Sequence, residues 1–353
     1  TFGILTPAHW VSVGILGERA ADLYAPRSQP QAKERIDAGG RALLPGVTGM
    51  HSPHREGSLP EFAHKDAICS STRQCAAGGV STSIGMPNVT PPPNSLELLK
   101  KQFALYERDA IVDWNFNPAP TLLDEVPAMA KTGIAAFKIF MVVDTSRNYP
   151  HMPGIGVHLH ILHTRTAGSV DLIRRAKMAG QRVACKINPS ALFLGCSWAA
   201  IARLGSYALY DWVPEKNTPD LWGRLNEGTI GIVATDHAPH TREEKDIGWT
   251  DGWKARAGTP SMQFHLSLPL SAASQGRISI ERLVEATSTA PARIFGLIDK
   301  GGIRVGAHAD LVIADLDQEM VIRGGEVLRL TGRTPYAGEQ LGGSEGSAVL
   351  VDA

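Results

Sequence analysis

From about residue 42 the chain alternates short apolar runs with amphipathic stretches of helical period. ALLPGVTGM (42–50) reads as a strand ending in polar residues, and 61–78 carries helical spacing up to the stop at Gly78-Gly79. VSTSIGM (80–86) is the next strand. SLELLKKQFALYERDA (95–110) is an amphipathic helix with Ser95 placed to cap it. The rhythm continues with IVDWNFNPAP (111–120) as strand, LLDEVPAMAKT (122–132) as helix and IAAFKIFMVVD (134–144) as a third apolar run. Then come VHLHILH (157–163) as strand, SVDLIRRAKMAG (169–180) as helix, and RVACKIN (182–188) and TIGIVATDHAPH (229–240) as strands. Residues 278–297 supply closing helices.

Nearly continuous apolar strands separated by helices predict a parallel sheet buried on both faces. The architecture expected is α/β: a (β/α)8 TIM-like barrel over 45–300, with a doubly wound open sheet as the second choice. Residues 1–44 and 301–353 are β-rich and punctuated by Gly and Pro, and are expected to form one small composite β-sandwich. Only seven barrel strands can be counted. The run between Asp144 and Val157 is too short for a helix, a strand and another helix, which need roughly 30 residues. A segment is therefore expected to be missing between 144 and 158, visible as a jump in the Cα trace well beyond ~3.8 Å.

Composition narrows the function classes. Lys plus Arg is 35 and Asp plus Glu is 35, so the zero formal charge argues against a nucleic-acid binder. No run of 18 apolar residues predicts a membrane helix, and the opening TFGILTPAHW lacks the basic start of a signal peptide. Cys69, Cys75, Cys185 and Cys196 form no CxxC pair and read as buried thiols of a reducing compartment, the cytoplasm.

Polar residues gather where the apolar runs end, which in barrel enzymes is where chemistry sits. Asp236 in TDHAPH follows an apolar strand, where a carboxylate can bind metal and carry a proton. The competing reading is a capped loop, since Thr241 and Glu244 spell a capping box just downstream. Lys138 lies inside an apolar run; burial favours its neutral amine, which can take up carbon dioxide as a carbamate. Otherwise it snorkels past the strand end. His158 and His160 share one strand face and His163 the other, at the strand end, where it is either a metal ligand or a packed histidine. His51, His54 and Arg55 follow the first barrel strand. A ligand pair there would want i, i+2 spacing, but that position is Pro53, while Arg55 suits bidentate capture of a carboxylate.

Read together, IDAGGRALLPG (36–46), GMPNVTPP (85–92), FKIFM (137–141), IVATDHAPHTREEK (232–245), and TAPARIFGL with KGGIRVGAHADLVIADL (289–316) resemble the cyclic-amide branch of the amidohydrolase superfamily, which holds dihydroorotase, hydantoinase (dihydropyrimidinase) and allantoinase. The resemblance runs almost end to end. It implies a two-metal centre, usually zinc, acting on a small cyclic amide, in a homodimer or homotetramer. By position, His51 would bind the first metal, Lys138 as carbamate would bridge, and His163 would bind the second. Asp236 would bind the first metal and shuttle the proton to the leaving ring nitrogen. Arg55 and Asn88 would grip a substrate carboxylate.

The chain departs from that pattern where Gly49 replaces an Asp, Pro53 the second His of the HxH pair, Lys186 a Glu and Gly231 an Asp. Two functions are therefore expected to compete: metal-dependent ring opening of a cyclic amide, and a catalytically impaired homologue kept as a scaffold or partner subunit.

Overall fold

The computed structural model describes residues 10–25, 28, 30–140, 159–195, 197–206, 213–328 and 334–349. The expected break between 144 and 158, His158 and Cys196 lie outside the described residues.

The strands fall into four sheets. β1 (Ser12–Leu16) and β2 (Arg19–Tyr24) form an antiparallel hairpin. β3 (Ala42–Pro45), β10 (Leu311–Val321) and β11 (Gln340–Val349) form an antiparallel sheet with β10 in the centre. β4 (Val47–Gly49), β5 (Val80–Gly85) and β6 (Asp113–Phe116) run parallel, and so do β7 (Leu159–Ile161), β8 (Val183–Ile187) and β9 (Ile232–Val233). The parallel strands read from sequence are thus α/β units, with helices such as Ile68–Ala77, Leu96–Asp109 and Ala167–Met178 between them. Ser95 caps the second of these by accepting from Leu98 N at 3.3 Å.

Several expected elements are shorter or divided. ALLPGVTGM is two strands: Gly46 N donates to Asp310 O at 2.7 Å, and one residue later Val47 N donates to Gly79 O at 2.9 Å. The chain therefore leaves the antiparallel sheet and joins the parallel one within a single peptide. A Cβ on Gly46 would lie 2.2 Å from Ser81 Oγ and 2.9 Å from Asp310 Cβ, so only glycine fits the crossing. The C-terminal strands pair with β3, and the first hairpin meets the tail through the Arg19–His308 bridge and backbone bonds of Glu18 and Ala20 to Gly306, Ala307 and Ala309 at 2.8–2.9 Å. FKIFM is not a strand as far as it is described: Lys138 N donates to Pro118 O at 3.0 Å beyond the end of β6, and Phe140 makes an isolated bridge. Residues 229–240 keep only the two-residue β9, because the chain leaves the sheet to carry the polar cluster described below.

One core cluster joins both parallel sheets to β10, with Val47, Val80, Cys185, Ile187, Val233 and Val312 packed together. Cys75 and Cys185 are buried free thiols, whereas Cys69 is only half-buried. No helix among the described residues is long and apolar enough to cross a membrane.

Candidate active site

Three side chains converge at the C-terminal ends of the parallel strands. His51 stands two residues beyond β4, His163 two beyond β7 and Asp236 three beyond β9. His51 Nε2 is 3.2 Å from Asp236 Oδ1, and His163 Nδ1 is 3.0 Å from Asp236 Oδ2. One ligand atom from each lies within 4.8 Å of the others. The arrangement depends on backbone geometry that strand alternation does not supply. His163 has φ +54° and Asp236 φ +52°, and among the described residues they are the non-glycine positions in the left-handed region. That conformation costs a side-chain-bearing residue about 1–2 kcal/mol and gathers at functional sites. His160, by contrast, stays on β7 and packs edge-on against Phe295 with ring centres 5.9 Å apart.

The electrostatics suit cation binding. Burial, with the charge of Lys186 adding to it, holds the His51 imidazole well below its usual pKa, despite Asp236. Burial likewise lowers His163. Neutral imidazole is the form that ligates metal. Burial alone would raise Asp236, but the adjoining His163, His51 and Lys186 outweigh it and keep the carboxylate ionised. Two neutral imidazoles and a carboxylate are a donor set suited to zinc or a similar divalent ion. His51 Nδ1 has no hydrogen-bond partner among the described residues.

Lys138 is buried. Desolvation pulls its amine down to about 8, against the opposing pull of Asp236. The amine lies 4.6 Å from the Phe140 ring centre, and its charge bears on His51, His163 and Asp236 together. Arg55 and Asn88 meet directly. With the Asn88 amide nitrogen donating to Met86 O at 3.1 Å, its oxygen accepts from Arg55 Nη1 at 2.9 Å. Arg55 is 3% exposed, yet its Nε and Nη2 have no partner among the described residues.

Other functional groups escaped the sequence. Asp66 and His237 form a buried pair at 2.8 Å. His237 Nδ1 accepts from the backbone N–H of Ser261 and of Met262, both at 3.2 Å, so Nε2 carries the proton donated to Asp66. This clamps the residue next to Asp236. Nothing in HKDAICSS marks Asp66 in advance. Lys186, seen in sequence as a lost Glu, is completely buried on β8; a lysine inside VACKI is the signal that singled out Lys138, and it applied here too. The Thr241–Glu244 capping box is present as well, with the helix it starts lying downstream of the cluster.

The chain matches the Amidohydrolase family over residues 135–339. It belongs to the amidohydrolase family. Its relatives include a dihydroorotase from Halobacterium salinarum, 30% identical over 86% of this chain and 87% of that protein. An L-hydantoinase from Paenarthrobacter aurescens is 26% identical over 92% of this chain and 86% of its own length. The fold is shared with the solved L-hydantoinase (dihydropyrimidinase) from Arthrobacter aurescens, with TM-score 0.90, 24% identity, and 97% and 91% of the two chains covered. This amidohydrolase therefore stands in the cyclic-amide branch. The alignment with the Halobacterium protein runs over 383 positions, more than the 353 residues here, so that relative has residues facing gaps in this chain.

The departures from the branch pattern differ in character. A Cβ at Gly49 would meet Val80 Cγ1 at 2.9 Å and Ser52 Oγ at 3.0 Å, so the space of a longer side chain has closed. Gly231 is open, with the nearest atom, Cys185 O, 3.9 Å away. Pro53 is buried and offers no ligand, while the adjacent His54 turns to Ser83 Oγ at 2.8 Å, away from the metal-ligand cluster.

Proposed function

We propose that this amidohydrolase opens a cyclic amide by metal-dependent hydrolysis, in a (β/α)8 barrel over 45–300 whose closure needs a segment missing between 144 and 158, with 1–44 and 301–353 contributing a composite β-sandwich. The observation that carries the reading is the convergence of His51, His163 and Asp236 at 3.0–3.2 Å contacts. Those three residues would hold a divalent ion, zinc by donor type, and Lys138 as its carbamate would supply a further oxygen donor. The metal would supply Lewis acidity toward the ring carbonyl and toward water. Asp236 takes the proton from the attacking water on a carboxylate oxygen and returns it to the departing ring nitrogen. The neutral fraction of Lys138, enlarged by burial, is the form that reacts with carbon dioxide. Arg55 and Asn88 grip an anionic substituent on the ring, using the guanidinium nitrogens that have no partner among the described residues. This favours a dihydroorotate-like acidic ring over a neutral hydantoin. A silent scaffold finds no support in the relatives or in three site residues that still meet.

The test is a ring-opening panel of dihydroorotate, hydantoin, dihydrouracil, allantoin and succinimide. Chelator-treated protein is assayed with and without added Zn2+, in bicarbonate-containing buffer. Opening of at least one ring that depends on added metal is expected. No opening of any of them at saturating metal would overturn the reading.

A further inference from the structure

The metal-ligand cluster already contains a cation of its own. Lys186 is the fourth of the five residues of β8, flanked by β7 and β9, whose ends lead to His163 and Asp236. It is 0% exposed, and a lysine is almost never buried so deep without partners for its charge. Its Nζ donates to Asn188 Oδ1 at 2.7 Å and to Ala234 O at 3.4 Å. Asn188 then turns its Nδ2 to the other side, 3.4 Å from both Asp236 Oδ2 and His163 Nδ1. One amide thus separates the ammonium from two of the three candidate ligands.

Resting on the metal-dependent reading above, we propose that Lys186 is the second cation of this centre, so that each chain binds one divalent ion among His51, His163 and Asp236, and no second. Two observations converge on it. Among the described residues the donors for a second ion are thin: Pro53 offers none, and Lys138 would have to be modified first. Positive charge is also already present, because Lys186 and the unmodified Lys138 both act on His51 and His163 beside Asp236. A second divalent ion would add two more positive charges to these with Asp236 as the one carboxylate of the His51–His163–Asp236 cluster, which is costly where the dielectric is low. Through Asn188, Lys186 also holds the Asp236 carboxylate in place, as the second metal of a binuclear site would.

The experiment counts metal. Full-length protein is stripped with chelator, titrated with Zn2+, and its bound metal measured by mass spectrometry, alongside K186M and K186R. Wild type and K186R are expected to bind one equivalent with similar affinity. K186M is expected to bind its first ion at least about tenfold more tightly, because a like charge beside the ion has been removed. Two equivalents in wild type would overturn the proposal alone and leave the hydrolytic reading standing. One equivalent with equal affinity in K186M would assign the change to Pro53 and overturn the role of Lys186. No metal in any variant would overturn both readings. If K186M does not fold, the wild-type count and the K186R affinity still decide the stoichiometry.

Discussion

His163 and Asp236 reach the same point through the same backbone device, a left-handed residue just past a strand. The device tells which substitution is informative. Asparagine tolerates the left-handed region and matches aspartate in size, so Asp236→Asn should keep the fold while losing the charge and the proton acceptor. Turnover of the preferred ring is expected to fall about 10²–10⁴-fold with circular dichroism unchanged; a variant keeping more than a tenth of the rate would remove Asp236 as the proton carrier. Arg55 gives a second prediction. A charge-assisted hydrogen bond contributes roughly 1.5–3 kcal/mol, so Arg55→Ala should raise KM for dihydroorotate by about ten- to a hundredfold and barely change it for hydantoin. Equal effects on the two rings would sink the acidic-substrate reading. Sequence disclosed His51, His163 and Asp236 because each follows an apolar run. It did not disclose the left-handed geometry that aims two of them, nor the Asp66–His237 clamp, whose partners are 171 positions apart.

At the scale of elements, the strands and helices were legible wherever an apolar period was long and regular, as in Leu96–Asp109. They were misread where the pattern was continuous but the pairing changed. ALLPGVTGM looks like one strand because nothing in its apolar pattern marks the peptide at which its hydrogen bonds change sheets. Only Gly46 carries that information, through the 2.2 Å approach a Cβ would make to Ser81 Oγ. The obstruction also includes Ser81 Cβ at 2.6 Å and Asp310 Cβ at 2.9 Å, which cannot swing away as a side-chain tip can. Gly46→Ala should therefore push the two sheets apart at their junction and cost about 1–3 kcal/mol. The check is a urea melt of the variant against wild type with an unchanged m-value. A Gly46→Ala midpoint equal to wild type would mean that the crossing is looser than these distances imply.

For the whole molecule, end-to-end sequence blocks were enough to anticipate the family, since each block marks a strand or turn that the fold needs in that order. They could not anticipate how many histidines the folded chain would bury uncharged, because burial is a property of the packed molecule. Desolvation pushes His54, His240 and His265 down to about 4, with neighbouring Asp66, Glu244 and the Val233 carbonyl resisting but not winning. Each of these rings takes up a proton near pH 6.5 in the unfolded chain but only near pH 4 in the folded one. Between those values the unfolded state binds more protons, so stability must fall as the pH falls. It is fully present above about 6.5 and is lost progressively toward 4. His51 and His163 are lowered in the same direction and add to the effect once metal is removed. At pH 5 each of the three histidines accounts for at most about 2 kcal/mol, since a tenfold change in proton activity is worth about 1.4 kcal/mol. Thermal melts of the chelated protein at pH 7.5, 6.5, 5.75 and 5.0 are expected to show a flat Tm down to about 6.5 and then a fall of several degrees. A Tm that stays level to pH 5.0 would mean that these histidines are charged or solvated in the folded chain. The packing around Tyr106 and Ser83 that encloses His54 would then be open to water.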